Sequence, residues 1–245
     1  MITVELRGRL GNQLFQYSLC RVMSERLGGQ YSISPEWLGK GIFNCSLGET
    51  PYSKSQVIFN EGVNTFNPDV FNGGREMHLF GYWQSEKYFL GYEDKIRDWL
   101  RLDVPNSDYI KNEYCPIHFR AQDGYLRENF VLPVSYFNKC KEYVRNAVGS
   151  HIKFVVVTDN PQLSKRYFPN DIIINNDMKT DLAILTHSKY KIISNSSFSW
   201  WAAWLGLPDS ELVIAPNRWM NYNKTILEGD SFYPHDIITS GFTYI

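Results

Sequence analysis

Net charge is nearly absent from this 245-residue chain: 25 lysines and arginines stand against 26 aspartates and glutamates, a formal balance of −1. Such a surface has no global basic field to gather nucleic acid, and no long run of like charge supplies a local one. Cysteine is scarce. Cys20, Cys45, Cys115 and Cys140 lie far apart with no Cys-x-x-Cys pair. That spacing indicates neither a zinc site nor a disulfide framework and fits a reducing compartment. No stretch approaches the roughly 20 apolar residues a membrane helix needs. Met1 to Leu6 alternate like a strand and lack the charged head and apolar run of a signal peptide. The sequons at Asn44 and Asn223 therefore carry little weight. Signature motifs are missing too. There is no Gly-Lys-Ser/Thr and no Gly-x-Gly-x-x-Gly. Without His-x-x-x-His or Gly-x-Ser-x-Gly, neither a zinc hydrolase nor an α/β-hydrolase is favoured. The absence of Asp-x-Asp removes the common acidic anchor for a metal-bound nucleotide sugar.

What is present is an ordinary core composition, 43% hydrophobic and 16% aromatic. The length allows one large domain or two small ones. Residues 2–6 read as a strand, 12–27 as a helix with apolar residues at helical spacing, and 31–34 as a strand, which is a β-α-β unit. Gly28-Gly29 stops the helix. Residues 39–80 show broken periodicity. A helix with a Ser85 cap is expected over 85–100. From 116 onward strands (116–120, 154–157, 172–174, 191–194, 212–215) alternate with helices (134–148, 161–167, 181–188, from 200). That half reads as a doubly wound α/β domain.

Ligands of open parallel sheets sit at the carboxyl ends of strands, and three polar clusters fall there. "SNSSFSWW", residues 194–201, turns from strand into helix with five polar residues. A helix N-terminus offers unpaired N–H groups and a positive dipole, which suits phosphate; the alternative is plain capping by one residue. Trp200 and Trp204 share a helix face and read as core. In "IHFRAQDGY", residues 117–125, His118 and Arg120 share one strand face and Asp123 lies in the following loop. Arg120 can grip a phosphate bidentately or form an ion pair with Asp123; spacing leaves both open. In "RGRLGNQLFQY", residues 7–17, a tight turn enters a helix that Asn12 could cap.

Together these pieces resemble the bacterial α-1,2-fucosyltransferases, glycosyltransferase family 11. "GRLGNQLFQYSL" (8–19), "GYWQSEKYF" (81–89), "IHFRAQDGY", "FVVVTDN" (154–160), the block 181–206 and "VIAPNRW" (213–219) follow in that family's order. The resemblance implies a GT-B fold of two Rossmann-like domains facing a cleft: an acceptor-side half, 1–112, and a GDP-sugar-binding half, 113–245. It implies inverting transfer of L-fucose from GDP-β-L-fucose to a sugar hydroxyl. The usual target is the 2-OH of a galactose in a surface glycan or its lipid-linked precursor. No metal or cofactor is expected. Arg120 would hold the donor phosphates, His118 would lie beside the nucleoside, Asp181 would contact guanine, and Ser197 a phosphate. Asp159, Asn195, Ser196, Phe198 and Ser199 complete the implied donor set. Asn12 would face the reacting sugar, with Gln13, Trp83 and Gln84 on the acceptor side. Arg120, His118, Asp123 and Asn12 form the implied catalytic set; the resemblance identifies no general base, Asp123 and Glu86 are the residues on offer, and little base help is needed if bond breaking runs ahead of attack. The expected location is cytoplasmic, with peripheral contact at the inner face of the plasma membrane for a lipid-linked acceptor. The family usually carries Arg-Arg-Gly-Asp-Tyr after the strand; here Ala121-Gln122 follow Arg120 and Gly124 separates Asp123 from Tyr125. The alternatives are the same fold with another GDP-sugar, and a non-catalytic nucleotide-sugar or glycan binder.

Overall fold

The computed structural model describes residues 1–54, 56–62, 65–219 and 236–245; the side chain of Asp123 and the sequon at Asn223 lie outside what is described. The chain divides into two compact units. The first is Met1–Leu102 with, of the described residues, 236–239; the second is 103–219 with Ser240–Ile245. The division therefore falls at 102/103, not at the expected 112/113. The reason is packing: a 3-10 turn at Asp108–Ile110 packs on elements of the second unit. Residues 236–239 return to the first unit, where Asp236 accepts from the Phe66 N–H at 2.7 Å and Thr239 donates to Glu86 at 2.7 Å.

The first unit runs β1 (Ile2–Val4), α1 (Leu10–Leu27), β2 (Tyr31–Ser32), β3 (Ile58–Asn60), β4 (Met77–Phe80) and α2 (Glu93–Trp99). Its sheet is parallel in the order β2-β1-β4-β3. The helix α1 is buried almost all round, beyond the single stripe that its apolar spacing predicts. Even Gln13, Gln16 and Ser18 on it are buried. The helix expected over 85–100 is broken. Ser85 does cap, accepting from the Lys87 N–H, but only for a 3-10 turn at Glu86–Phe89. Gly91 then adopts φ 83°, a left-handed conformation that interrupts the helix before α2 begins.

The second unit runs β5 (Tyr114–Phe119), α3 (Asp123–Arg127), α4 (Val134–Val148), β6 (Lys153–Thr158), α5 (Pro161–Tyr167), β7 (Ile172–Ile174), α6 (Met178–His187), β8 (Tyr190–Ile192), α7 (Ser197–Leu205), β9 (Leu212–Ala215) and β10 (Thr243–Tyr244). Its parallel sheet has the order β10-β9-β8-β5-β6-β7. The chain builds outward from β5 through β6 and β7, then crosses back and builds outward from β8. That is the doubly wound order, and its switch point lies between β5 and β8. Ile117 and Phe119 face a core closed by Phe137, Cys140 and Val144 of α4 with Phe154, Val156 and Phe168. In the first unit the chain goes outward from β1 to β2, crosses to the far edge at β3 and returns inward to β4, so β1 and β4 are its central pair. Each half is thus an α/β unit on a parallel sheet, as the sequence pattern requires.

Candidate active site

The switch point of the second unit gathers most of the singled-out residues. His118, near the end of β5, is buried, and its Nδ1 lies 2.8 Å from Ser194 Oγ, just beyond β8. This contact spans the two strands between which the winding reverses. The imidazole also lies 5.5 Å from the Phe198 ring. Burial, and secondarily the Arg120 charge, push its pKa down to about 3, so the ring is neutral at physiological pH.

Arg120 follows β5, and its guanidinium forms an ion pair with Asp159, just past the end of β6. The same carboxylate accepts from the Ala121 N–H at 2.8 Å. The guanidinium lies 5.2 Å from the Tyr125 ring centroid. Asp159 takes only Nη1; the rest of the guanidinium fork has no acceptor among the described residues. Asn160 braces the same loop, donating to Ala121 O at 3.0 Å while its Oδ1 caps α5 through the Leu163 N–H.

The Ser-rich turn enters helix earlier than expected, at Ser197 instead of Trp200. Ser196 is the N-cap residue, yet its side chain makes no capping bond and no other hydrogen bond among the described residues. Plain capping therefore does not account for its hydroxyl. Ser199 is fully buried and donates to the carbonyls of Ser194 and Ser196 at 3.3 and 3.2 Å, so it shapes the turn from inside. Asn195, 3% exposed, donates through Nδ2 to the carbonyls of Phe130 (2.9 Å) and Trp219, tying two loops to the turn. Tyr125 and Tyr136 hydroxyls hold the backbone carbonyls of Asn195 and Ile193 at 2.9 and 2.8 Å. Tyr125 ends the motif that carries His118 and Arg120; nothing in the sequence pattern marks Tyr136. Asp181, in the first turn of α6, accepts from Asn176 Nδ2 at 2.9 Å. Burial raises its pKa to about 6, and the Asp177 and Asp159 charges add to the rise. Trp200 and Trp204 are buried and stacked at 6.1 Å, a core pair as read.

What this edge offers is an arrangement for a multiply charged anion. The N-terminus of α7 supplies backbone N–H groups and a positive dipole. The Ser196 hydroxyl and the remaining donors of Arg120 add to it. A neutral imidazole lies beside them.

A second polar cluster occupies the equivalent edge of the first unit, where β1 and β4 end. Gln84 Nε2 donates to Asn12 Oδ1 at 2.8 Å, so these two come together. Gln13 is spent on structure: Oε1 accepts from the Leu38 N–H at 2.9 Å and Nε2 donates to Gly8 O at 3.3 Å. Trp83 is fully buried, edge-on to Tyr88 at 5.3 Å, and belongs to the core instead of an open acceptor surface. Two residues escaped sequence reasoning. Buried Gln16 ties the Arg7 backbone to Gly81 O at 3.1 Å. Buried Glu61 accepts from the N–H groups of Tyr82 and Trp83, and burial raises its pKa. Glu86, a base candidate, lies at the start of its 3-10 turn with Oε2 bonded by Thr239. Among the described residues no group of three His, Cys, Asp or Glu side chains is disposed to hold a metal ion, and no helix is long and apolar enough to cross a membrane.

Comparison with known proteins bears on this geometry. A family model described as Glycosyl transferase family 11 matches residues 69–236, more than half of the chain. An alpha-1,2-colitosyltransferase of Escherichia coli is 30% identical over 58% of this chain and 56% of its own length. The O-antigen biosynthesis glycosyltransferase WbnK of Escherichia coli is 28% identical over 81% of this chain and 72% of its own length. The chain thus spans a little over half the length of the first relative. Among solved structures, that of NodZ alpha-1,6-fucosyltransferase soaked with GDP-fucose aligns with a TM-score of 0.44 and 11% identity, covering 83% of this chain and 92% of the other.

Proposed function

This chain belongs to glycosyl transferase family 11, and from that premise we propose that it is an inverting α-1,2-fucosyltransferase. Its donor in this reading is GDP-β-L-fucose. Its acceptor is a sugar hydroxyl, the 2-OH of a galactose in a surface glycan or the lipid-linked precursor of one. The observation that carries the reading is the β5/β8 switch point. There the Arg120 donors left over by Asp159 follow β5, and the Ser196 hydroxyl and the N-terminus of α7 follow the neighbouring β8, the sheet edge at which a pyrophosphate would be held.

The chemistry follows from charge. As the fucosyl–phosphate bond breaks, positive charge grows on the sugar ring and negative charge on the departing GDP. Fixed donors aimed at the leaving group stabilise that state more than the ground state, with no metal required. His118 stays neutral through burial and serves as a packing and hydrogen-bonding wall beside the nucleoside, not as a cation. Asp181 in its carboxylate form accepts from the guanine edge. In the first unit Asn12, held by Gln84, faces the reacting sugar. The protein acts in the cytoplasm, at the inner face of the membrane when its acceptor is lipid-linked.

A second reading keeps the family and changes the sugar. The 30% identical relative is named a colitosyltransferase, and the pyrophosphate grip would serve either donor. The deciding experiment measures GDP release in EDTA from GDP-fucose, GDP-colitose and GDP-mannose, with and without β-galactoside acceptors. Acceptor-dependent release from GDP-fucose alone is expected. Release from GDP-colitose alone would favour the second reading, and binding without turnover a non-catalytic role. Failure of all donors to bind would remove the GDP site.

A further inference from the structure

The segment Gly81-Tyr82-Trp83-Gln84 has a shape that one distant residue imposes. Trp83 adopts φ 59°, a left-handed conformation unfavourable for a bulky side chain. The N–H groups of Tyr82 and Trp83 both point at one atom, Oε2 of Glu61, at 2.8 and 2.9 Å. Two successive N–H groups converging on one oxygen form an anion-binding nest, which offsets the strain. Glu61 is 5% exposed, and the Tyr88 hydroxyl donates to its other oxygen at 3.4 Å. Approach is so close that a Cβ on Gly81 would lie 2.6 Å from Oε2. The chain leaves this turn with Gln84 directed at Asn12, 2.8 Å away. Gln16 holds the Gly81 carbonyl from the other side at 3.1 Å.

We propose that Glu61 is a positioning residue for glycosyl transfer: its buried carboxylate sets the Tyr82–Trp83 turn that delivers Gln84 to Asn12. The inference rests on the transferase reading above. Glu61 touches no substrate in this scheme and acts only through Gln84, so its removal impairs turnover and spares the donor site of the second unit.

The test uses Glu61→Ala, which removes the oxygen, and Glu61→Gln, whose carbonyl can still accept both N–H groups. In Glu61→Ala, hydrogen exchange of the 81–85 segment accelerates about tenfold or more as its protecting acceptor is lost. Its kcat falls about 10- to 100-fold, the scale of a small misplacement of a reacting group, while the GDP-fucose Kd stays within about twofold. Glu61→Gln behaves like the wild type in both. In a double-mutant cycle with Gln84→Ala, Glu61→Ala adds little once the Gln84 amide is gone. Unchanged exchange in Glu61→Ala, an additive cycle, or a donor Kd that deteriorates in step with kcat would each overturn the proposal. Equal impairment of Glu61→Gln would overturn it too, since it would assign the effect to charge. Should Glu61→Ala fail to fold, Gly81→Ala crowds the same oxygen and is expected to give the same selective loss; normal kcat there counts against the idea. If the wild type transfers no sugar at all, the transferase reading fails, and the exchange measurement still tells whether Glu61 sets the turn.

Discussion

At the scale of single residues, the second unit's site depends on how charges are shared. Arg120 is partly neutralised by Asp159, and the remainder of its fork is what a phosphate would use. Arg120→Ala is expected to lower the rate of transfer by at least about 10²–10³, the cost of losing one donor to developing charge. Turnover near the wild-type level in that variant would refute the clamp. The pH dependence follows from Asp181. Its folded pKa is raised to about 6 from the usual 3.8, so the fold favours the protonated form, and ionisation costs stability as pH rises between those values. In the proposed donor site the Asp181 carboxylate would accept from guanine, so donor affinity is expected to fall as pH drops through 6. Titrating Kd from pH 8 to pH 5 checks this, and Asp181→Asn flattens the profile at weak affinity. His118 contributes no inflection near 6.5, because its folded pKa is about 3. The residues that escaped the sequence share a feature: each holds backbone. Glu61 and Tyr136 bond N–H or carbonyl groups from segments 22 and 57 residues away. No local pattern encodes such a partner.

At the scale of elements, α7 shows where propensity yields to context. Serines favour caps over helix interiors, so a start at Trp200 was the local expectation. The helix begins at Ser197 because the Trp200 N–H already closes a helical bond onto the Ser196 carbonyl at 2.9 Å, and the buried Ser199 hydroxyl finds acceptors in the carbonyls of Ser194 and Ser196. What anchors α7 is aromatic: Trp200, Trp201 and Trp204 are all buried, with ring centroids 5.3 to 6.1 Å apart. Trp204→Ala should cost about 3–5 kcal/mol in chemical denaturation, the usual range for deleting a buried aromatic. A loss under about 1 kcal/mol would mean the site collapses around the gap. Asn160 works at the start of α5, where it caps the helix and braces Ala121 beside Arg120. Asn160→Ala is expected to cost about 1 kcal/mol from the cap.

At the scale of the whole molecule, each unit places its polar cluster at the carboxyl edge of a parallel sheet, beside its two central strands. The opposite edge of the second unit carries a buried cation. Lys191 on β8 is fully buried, with Nζ 3.0 Å from Thr186 O near the end of α6. Burial lowers its pKa to about 7 from the usual 10.5. The unfolded chain therefore binds the extra proton between those values, and stability from this group rises as pH climbs from 7 toward 10.5. The gain is at most about 1.4 kcal/mol per pH unit. Urea midpoints of the wild type and Lys191→Met at pH 7 and pH 9 isolate it. The wild type should gain more on going to pH 9, and equal gains would mean Lys191 does not titrate in the fold.

The sequence by itself determined the alternation of strands and helices, the parallel sheets and the strand-end placement of His118, Arg120 and Ser194–Ser199. Those follow from hydrophobic period and turn chemistry, which are local. Only the tertiary structure decided that Arg120 pairs with Asp159, that Trp83 and Gln13 serve the core, and that Glu61 shapes the turn before Gln84. A buried polar group must find its partner wherever packing brings one within hydrogen-bonding reach, and that distance is set by the strand order of the sheet, not by separation along the chain.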